Sequence, residues 1–597
     1  MKSSIKIAGA SGYWGDAAMS TPQLLRDGDI DYLVYDYLAE VTMSILARAR
    51  AKDPALGYAV DFVTSAMGRN LARIAKQNVK VISNAGGVNP MACGEALRAL
   101  IAKQGLDLKV AVISGDDLVS RAVDFQDKNI KEMFSGKNFP DVAKVASINA
   151  YLGAAPIAQA LNDGADIVIT GRCVDSAVTL GACISHFGWT MDEYDKLAQA
   201  SLAGHIIECG VQATGGNFTD WELVKDSLVN IGYPIVEVQE NANFTVSKPK
   251  NTGGLVSVAT VSEQMIYEIG DPQTYILPDV VCDFSDVKIE QISEDCVSVR
   301  GAIGRPPPKD YKVCATYIDG FRAGMLISFT GLDAAKKAKT YGKASLERAE
   351  NLLKRVKFPP FAQTSIEVIG ADSQYGGSDN PEIREVVLKL AVRHESMNGA
   401  GILIKETTGM ALATPAGLSI FNAGRPKPSP IVRLFSFTLP KDNVVVKIDS
   451  VDTTYTQNAD ICVAPTPHAP PKSPPTSEAL ISVPLIALAW GRSGDKGDKA
   501  NIGIIARDVK YLPWIWRALT EESVSQYFAH FNPSRVERFF LPGVAAINFL
   551  LHDVLDGGGM ASLRNDPQAK AYAQILLSYK VEIPQGLIPE LTNEVRS

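Results

Sequence analysis

The chain lacks the sequence marks of several common chemistries. Its eight cysteines, Cys93, Cys173, Cys183, Cys209, Cys282, Cys296, Cys314 and Cys462, are scattered, and none forms a CxxC pair. That spacing excludes a disulfide framework and a zinc ribbon. The six histidines are equally dispersed, with no HExxH or HxH pattern. A metal centre built on histidine is therefore not expected, and the identity of any bound metal stays open. There is no GxGxxG, no GxxxxGK[ST] and no GxSxG, which removes the usual marks of nicotinamide, flavin, nucleotide and serine-hydrolase sites. A net charge of −7 argues against a nucleic-acid partner, which needs a basic face. No apolar run reaches membrane-spanning length, so no membrane partner is expected. The amino terminus, MKSSIKIAGA, resembles neither a secretory signal nor an Arg-rich targeting helix, so a cytoplasmic protein is expected.

What remains is an ordinary globular composition, 46% hydrophobic and 21% charged, over 597 residues. That length implies about two to four domains. In the first half, short apolar strands alternate with helices: Ile5–Ala8, a helix from Ala17, Asp31–Tyr35, a helix from Tyr37, Val79–Ser83, a helix from Met91, Leu108–Ser114, helix Ala154–Asn162 and Asp166–Thr170. This order predicts an α/β fold, mainly a parallel sheet with helical crossovers. From residue 251 the texture changes to an α+β extension. There Asp319-Gly320 predicts a hairpin, Asp333–Arg355 a helix, and Pro381–His394 another helix. Ala464–Glu478, APTPHAPPKSPPTSE, predicts an extended linker. The expected division is 1–463 (parts 1–250 and 251–463), linker 464–478, and a small α/β sandwich over 479–597. The small sandwich should carry helices near Leu512–Phe528 and Pro567–Leu577.

In parallel sheets ligands bind at the carboxyl ends of the strands, and polar loops fall there. GASGYWGD offers Gly12 and Asp16 as a cradle at a helix start. DYLVYDYLAE places Asp36 and Glu40 at i and i+4, able to share a proton or bind a cation. NAGGVNP presents Asn84, Gly86, Gly87 and Asn89, with Pro90 starting a helix, as an anion or acyl-oxygen cradle. SGDDL contributes Asp116. In GRCVDS, Arg172 is a bidentate carboxylate or phosphate ligand and Asp175 can orient it. Cys173 is read as packing. In AGHIIECGVQATGGNF, His205 and Glu208 sit at i and i+3 and suit an oriented general base, followed by Gly215, Gly216 and Asn217. SKPKNTGG adds Lys248 and Asn251.

The densest charge lies in GRSGDKGDKAN, Gly491–Asn501, read as a loop between two strands. Arg492, Ser493, Asp498 and Asn501 are candidate ligand contacts, and Asp495 and Lys496 candidate catalytic groups. This segment is expected to face the polar loops of the main body or of a neighbouring subunit.

Together these segments resemble the acyclic terpene utilisation family, AtuA. GASGYWGD, DYLVYDYLAEVTMSILAR, NAGGVNP, GRCVDSA, CGVQATGGNF and NTGG resemble its long N-terminal domain. LAWGRSGDKGDKANIGIIAR, FLPGVAAINFLL and GGGMASLRNDPQAK resemble its small C-terminal ferredoxin-like domain. The resemblance implies a link to the breakdown of citronellol and geraniol, a route run on branched acyl-CoA thioesters, and implies no set of catalytic residues. The Pro-rich linker departs from the compact bacterial arrangement.

The leading expectation is an enzyme that performs acid–base chemistry, hydratase- or lyase-like, on a small acyl or carboxylate substrate, which can carry CoA. No cofactor is required by the sequence, and a homo-oligomer is expected. One alternative is ester or thioester hydrolysis assisted by a divalent cation on Asp16, Asp36, Glu40 and Asp116. Another is a non-catalytic subunit that binds acyl-CoA or serves as a scaffold.

Overall fold

Short runs rich in valine and isoleucine build one large sheet at the heart of the chain. The computed structural model describes residues 3–16, 18–377, 382–421, 424–453, 464–472, 475 and 478–588; Ala17, Pro381, Cys462 and the segment 589–597 lie outside them. Ser4–Gly9, Tyr32–Tyr35, Lys80–Ser83, Ile167–Thr170 and Val110–Ser114 lie side by side in that order, all parallel. Helices such as Glu40–Lys52, Pro90–Lys103 and Ala155–Asn162 cross between them. Both faces of these strands are covered, which is why they read as unbroken apolar runs.

The parallel strands are only the middle of an 11-stranded sheet. Antiparallel strands Ile235–Gln239, Phe244–Ser247, Cys296–Arg300 and Lys288–Ser293 extend one edge. Lys447–Ile448 and Val451–Asp452 extend the other. The expectation of a mainly parallel sheet is corrected to a mixed one. Antiparallel neighbours need only tight turns, and they leave no helical crossover in the sequence to betray them. The sheet also runs across residue 250, since Phe244–Ser247 pairs with Cys296–Arg300.

A second, 6-stranded sheet is organised around Asp310–Thr330. Asp319-Gly320 does not fold this strand back into the expected hairpin. Gly320 takes φ +82°, and the register to Ser429–Pro440 slips between Ile318 and Phe321, so the pair forms a bulge. The strand stays extended because each half has its own partners. Val145–Ala150 and Ser429–Pro440 hold the first half, and Glu385–His394 holds the second. Glu385–His394 is itself a strand, not the helix expected there. Val386, Leu388, Leu390 and Val392 are buried, a period of two that the apolar Val387 and Ala391 between them conceal. The expected charged helix is present as Ala334–Arg355 and packs on this sheet through Ala338, Tyr341, Ala349 and Leu353.

The described part of the Pro-rich segment has no helix or strand. It is tied to the main body where Gln273 donates to the Thr466 carbonyl at 3.2 Å and His468 meets Ser285 Oγ at 2.8 Å. Beyond it, Ala489–Lys496, Lys499–Ala506, Ala546–Leu551 and Val536–Leu541 form an antiparallel sheet. Trp514, Ile515, Phe528, Tyr572 and Leu576 pack against it. The helical region near Leu512–Phe528 divides into Leu512–Ala518 and Glu521–Tyr527, the second capped by Thr520. Gly491–Asn501 is not a loop between strands; it is the tip of a hairpin. Pairing continues to Lys496↔Lys499, leaving Gly497-Asp498 as a two-residue turn with Gly497 at φ +66°. Charge alternation there is strand alternation, which sends neighbouring side chains to opposite faces.

Candidate functional site

The carboxyl ends of the parallel strands build one wall of the site. Asp36 follows Tyr32–Tyr35 and is 8% exposed. Asn84, the first residue past Lys80–Ser83, donates its amide to Asp36 and accepts the Tyr37 N–H at 2.8 Å. Arg172 follows Ile167–Thr170 and is 4% exposed. Its backbone N–H donates to Asp116 at 2.8 Å, and Asp116 also accepts the Asn149 amide at 2.8 Å. Glycine is required at 171, where a Cβ would stand 2.2 Å from Asp116 Oδ1. The guanidinium donates to Asp175 at 2.7 Å and to the Cys173 carbonyl at 2.8 Å, and stacks 4.3 Å from the Tyr151 ring centre. The Tyr151 hydroxyl donates to Glu40, with the Lys312 ammonium 3.8 Å from that carboxylate.

These contacts separate the two acids that the sequence pairs. Helix Glu40–Lys52 begins only at Glu40, so Asp36 is not on its face. Burial, reinforced by Asp175, pushes the Asp36 carboxyl well above the carboxylate range. Burial also raises Glu40, but Lys312, Arg172 and the Tyr151 hydroxyl outweigh it and hold Glu40 at about 2. One acid is thus pushed toward its protonated form and its neighbour toward its ionised form, the separation that general acid–base sites use.

His205 lies in helix Tyr194–Ile207 and Glu208 just beyond it. Their Nδ1–Oε1 distance is 2.9 Å, and His205 Nε2 meets the Met265 carbonyl at 3.1 Å. A carbonyl only accepts, so Nε2 carries a proton and Nδ1 shares one with Glu208. Burial raises the Glu208 carboxyl. Burial lowers His205, but the Glu208 carboxylate more than offsets this and leaves it raised. His205 is 1% exposed with both nitrogens occupied, which corrects its assignment as the base that meets substrate. Glu208, with 11% of its side chain exposed, is the member that solvent reaches.

The small domain supplies the opposite wall. Asn501 donates to the Ile266 carbonyl at 3.0 Å and accepts the Glu268 N–H at 2.8 Å. Asp220 of the main body takes both Arg507 nitrogens, at 2.7 and 2.6 Å, and the Trp490 indole at 2.7 Å. Arg492 donates to Gln212 and to the Asn217 carbonyl, and lies 3.8 Å from Glu263. Asp495 and Glu268 flank Lys570, at 3.6 and 3.2 Å. Burial, with Glu268, raises Asp495 to about 7. Lys496 is exposed to solvent. Desolvation disfavours its charge, and Tyr275, Glu268, Asp175 and Glu40 outweigh that and favour the cation.

Two family models cover most of the chain. That of the acyclic terpene utilisation family protein AtuA matches residues 5–450, and that of the AtuA ferredoxin-like domain matches residues 483–582. The chain belongs to the AtuA family. No curated protein and no solved structure matches it.

In this AtuA chain, Asp36, Glu40, Asn84, Arg172, Asp175, Glu208, Asp495 and Lys496 are linked by hydrogen bonds or direct charge interactions. Other candidates serve the scaffold. Asp16 accepts the Gly12 N–H at 2.9 Å and the Tyr233 hydroxyl at 2.8 Å. Asn89 donates to the Pro54 and Leu56 carbonyls, while Gly86 and Gly87 let that loop pack on Thr170 and Gly57. Lys248 is consumed by Asp295 at 2.8 Å, and Asn251 is an exposed turn residue at φ +61°. Gly215 takes φ +105°, and Gly216 and Asn217 present carbonyls to Arg492. Ser493 bonds the Ala569 carbonyl at 2.6 Å, and Asp498 accepts the Leu555 N–H at 3.1 Å. Arg492 and Asn501 hold the two domains together.

Asp16, Asp36, Glu40 and Asp116 each have separate partners, and no group of three metal-ligating side chains occurs among the described residues. The four-carboxylate cation site is therefore not built. Burial raises the Cys173 thiol to about 12, which rules out a resting thiolate there. A surface cavity of about 370 Å³, lined by Lys109, Asp163, Asp449 and Thr453 among others, opens at the amino ends of the strands and contains none of the candidate groups. Among the described residues no helix is long and apolar enough to cross a membrane. Tyr151, Lys312, Glu268 and Tyr275 carry no mark in the sequence that sets them apart. They lie outside the glycine-rich loops, and only the tertiary fold brings them to the strand ends.

Proposed function

We propose that this AtuA chain is an enzyme that moves protons on a small acyl or carboxylate substrate, in a hydratase- or lyase-like reaction. The observation that carries this is the pairing of Glu208 with His205 beside the buried Asp36 and two cations, Arg172 and Lys496. Glu208 is the proton-transfer carboxylate, and His205 is a positioning residue that holds it and exchanges a proton with it. Asp36 is the acid that protonates a departing oxygen, and in the reverse direction its carboxylate takes the proton from an adding water. Arg172 has a buried Nε without a hydrogen-bond partner among the described residues and suits a carboxylate or acyl oxygen. In the same reading the substrate is a branched acyl group that can carry CoA, no metal is needed, and the enzyme works as a cytoplasmic homo-oligomer.

A panel of branched acyl-CoA thioesters and their free acids, read by mass spectrometry, tests this. Wild-type protein should convert at least one member with gain or loss of one water, and Glu208→Gln should bind it without converting it. Binding without conversion by the wild type would favour a non-catalytic subunit.

A further inference from the structure

We propose that Tyr275 Oη and Lys496 Nζ together hold an oxyanion opposite Glu208, so that the substrate is an enolisable carbonyl compound deprotonated at the carbon next to its carbonyl. This rests on the acid–base reading above and names the substrate class for it. Tyr275 sits in the two-residue strand Tyr275–Ile276, opposite Cys282. Its ring is wedged between Phe284, at 5.5 Å, and the imidazole of His205, at 5.8 Å. The same imidazole bonds Glu208, so the phenol and the base are positioned by one group. Tyr275 Oη makes no hydrogen bond among the described residues.

Lys496 comes from the other wall. Glycine at 494 lets the hairpin press on the main body, since a Cβ there would stand 2.6 Å from the Tyr267 ring and 2.8 Å from Glu268. At the turn, a Cβ on Gly558 would stand 1.9 Å from the Gly497 carbonyl oxygen, so the hairpin tip is fixed on that side as well. Lys496 at its end has no carboxylate within ion-pair distance among the described residues, although other lysines near the seam, Lys312 and Lys570, do. Charge interactions support the juxtaposition: among charged neighbours, Tyr275 and Lys496 each act most strongly on the other. A phenol and an ammonium without a protein acceptor among the described residues, beside a carboxylate base, suit charge that develops on a substrate oxygen.

The step is balanced without a co-reactant. The Glu208 carboxylate takes the proton from the α-carbon. The freed C–H electron pair forms a double bond to the carbonyl carbon, and the carbonyl π pair moves onto oxygen. That oxygen becomes an enolate and accepts hydrogen bonds from the Tyr275 O–H and the Lys496 N–H. Return of the proton restores the substrate. Where a β-hydroxyl is present, its departure with the Asp36 proton gives water and an unsaturated acyl group. Two nucleophiles near the site are unsuited to acyl transfer, because the Cys173 thiol is buried and the Ser493 hydroxyl is bonded within its own domain.

The test uses the full chain and two probes, the nitronate of 3-nitropropionate, whose planar anionic oxygens imitate an enolate, and succinate of similar shape. Wild type should bind the nitronate about tenfold or more tighter than succinate, as expected of an intermediate mimic. Tyr275→Phe, which keeps both ring contacts, and Lys496→Met should each lower nitronate affinity by about fivefold or more while leaving succinate within about twofold. Equal affinity for the two probes, no binding of the nitronate, or an unchanged preference in both variants overturns the oxyanion pair. Glu208→Gln separates this from the parent reading. Loss of acyl turnover in that variant without any nitronate preference in wild type removes the pair alone. A preserved nitronate preference with undiminished turnover in Glu208→Gln removes the acid–base assignment alone.

Discussion

His205 stands behind Glu208, 2.9 Å from its carboxylate, with its far nitrogen tied to the Met265 carbonyl. The imidazole therefore reaches substrate only through Glu208. Glu208→Gln keeps a hydrogen-bonding side chain of the same size but cannot carry a proton, and should lower kcat by about 10²–10⁴ with little change in Tm. His205→Asn should lower kcat less and move the acidic limb of the pH–rate profile to higher pH. The sign follows from the pair: His205 pulls the raised Glu208 carboxyl downward, so its loss lets Glu208 rise further. An unmoved limb in His205→Asn would sink the positioning role.

Asp116 gives a stability prediction with a definite sign. Burial raises its carboxyl from 3.8 to about 7. Well below 3.8 both folded and unfolded chains hold the proton. Between those values only the folded chain does, so stability falls as pH rises, by on the order of 4 kcal/mol for this group alone. Asp116→Asn should flatten the fall of Tm between about pH 4 and pH 8. The Asn149 amide can flip to suit the new neighbour, because its Oδ1 is buried without a partner. A steeper slope in the variant would contradict this account.

Docking of the small domain should depend on a few buried polar groups. Asn501→Ala orphans the Ile266 carbonyl and the Glu268 N–H and should destabilise the seam by roughly 2–4 kcal/mol. Arg492→Met should act similarly by leaving Glu263 and the Asn217 carbonyl without their partner. Calorimetry is expected to show an earlier, separate transition for the small domain, and proteases should cut the 464–478 segment faster. A single unshifted transition in both variants would argue against the seam's dependence on these groups.

Asp495→Asn and Lys496→Ala distinguish a chemical role of the hairpin from a structural one. Lys496 is exposed, so its loss should shift stability by under about 0.5 kcal/mol. Each change should nonetheless reduce turnover sharply, measured with whichever acyl-CoA the wild type converts. Wild-type activity in both would remove the hairpin from the site.

The alternation of strands and helices is written in the first half of the chain because each crossover helix separates two apolar runs. The antiparallel edges were illegible, since a turn such as 240–243 carries no comparable punctuation. Asp319-Gly320 has the composition of a hairpin turn, but partners on both sides keep Asp310–Thr330 extended, and that competition exists only in three dimensions. Within the site, Arg172 with Asp175, and His205 with Glu208, were legible from spacing alone. Gly491–Asn501 stands out by its charge, but charge alone does not distinguish a hairpin from a loop. The long-range partners Tyr151, Tyr275, Lys312 and Glu268 carry no local signal, because each is an ordinary residue of a strand, strand end or turn until folding brings it to the seam.

The edge strand Val110–Ser114 is closed by Lys447–Ile448, and the neighbouring Asp449 carboxylate accepts the Val112 N–H across 337 residues of sequence. A ribosome delivers the chain from its amino end. The strand whose far end leads to Asp116 must therefore wait, with one row of backbone donors and acceptors unpaired, until most of the polypeptide has emerged. During that interval the open edge is a template for other chains. Until residues 447–449 arrive, the floor beneath Arg172 lacks the segment that closes its edge. A fragment ending short of residue 447 would keep that edge open permanently.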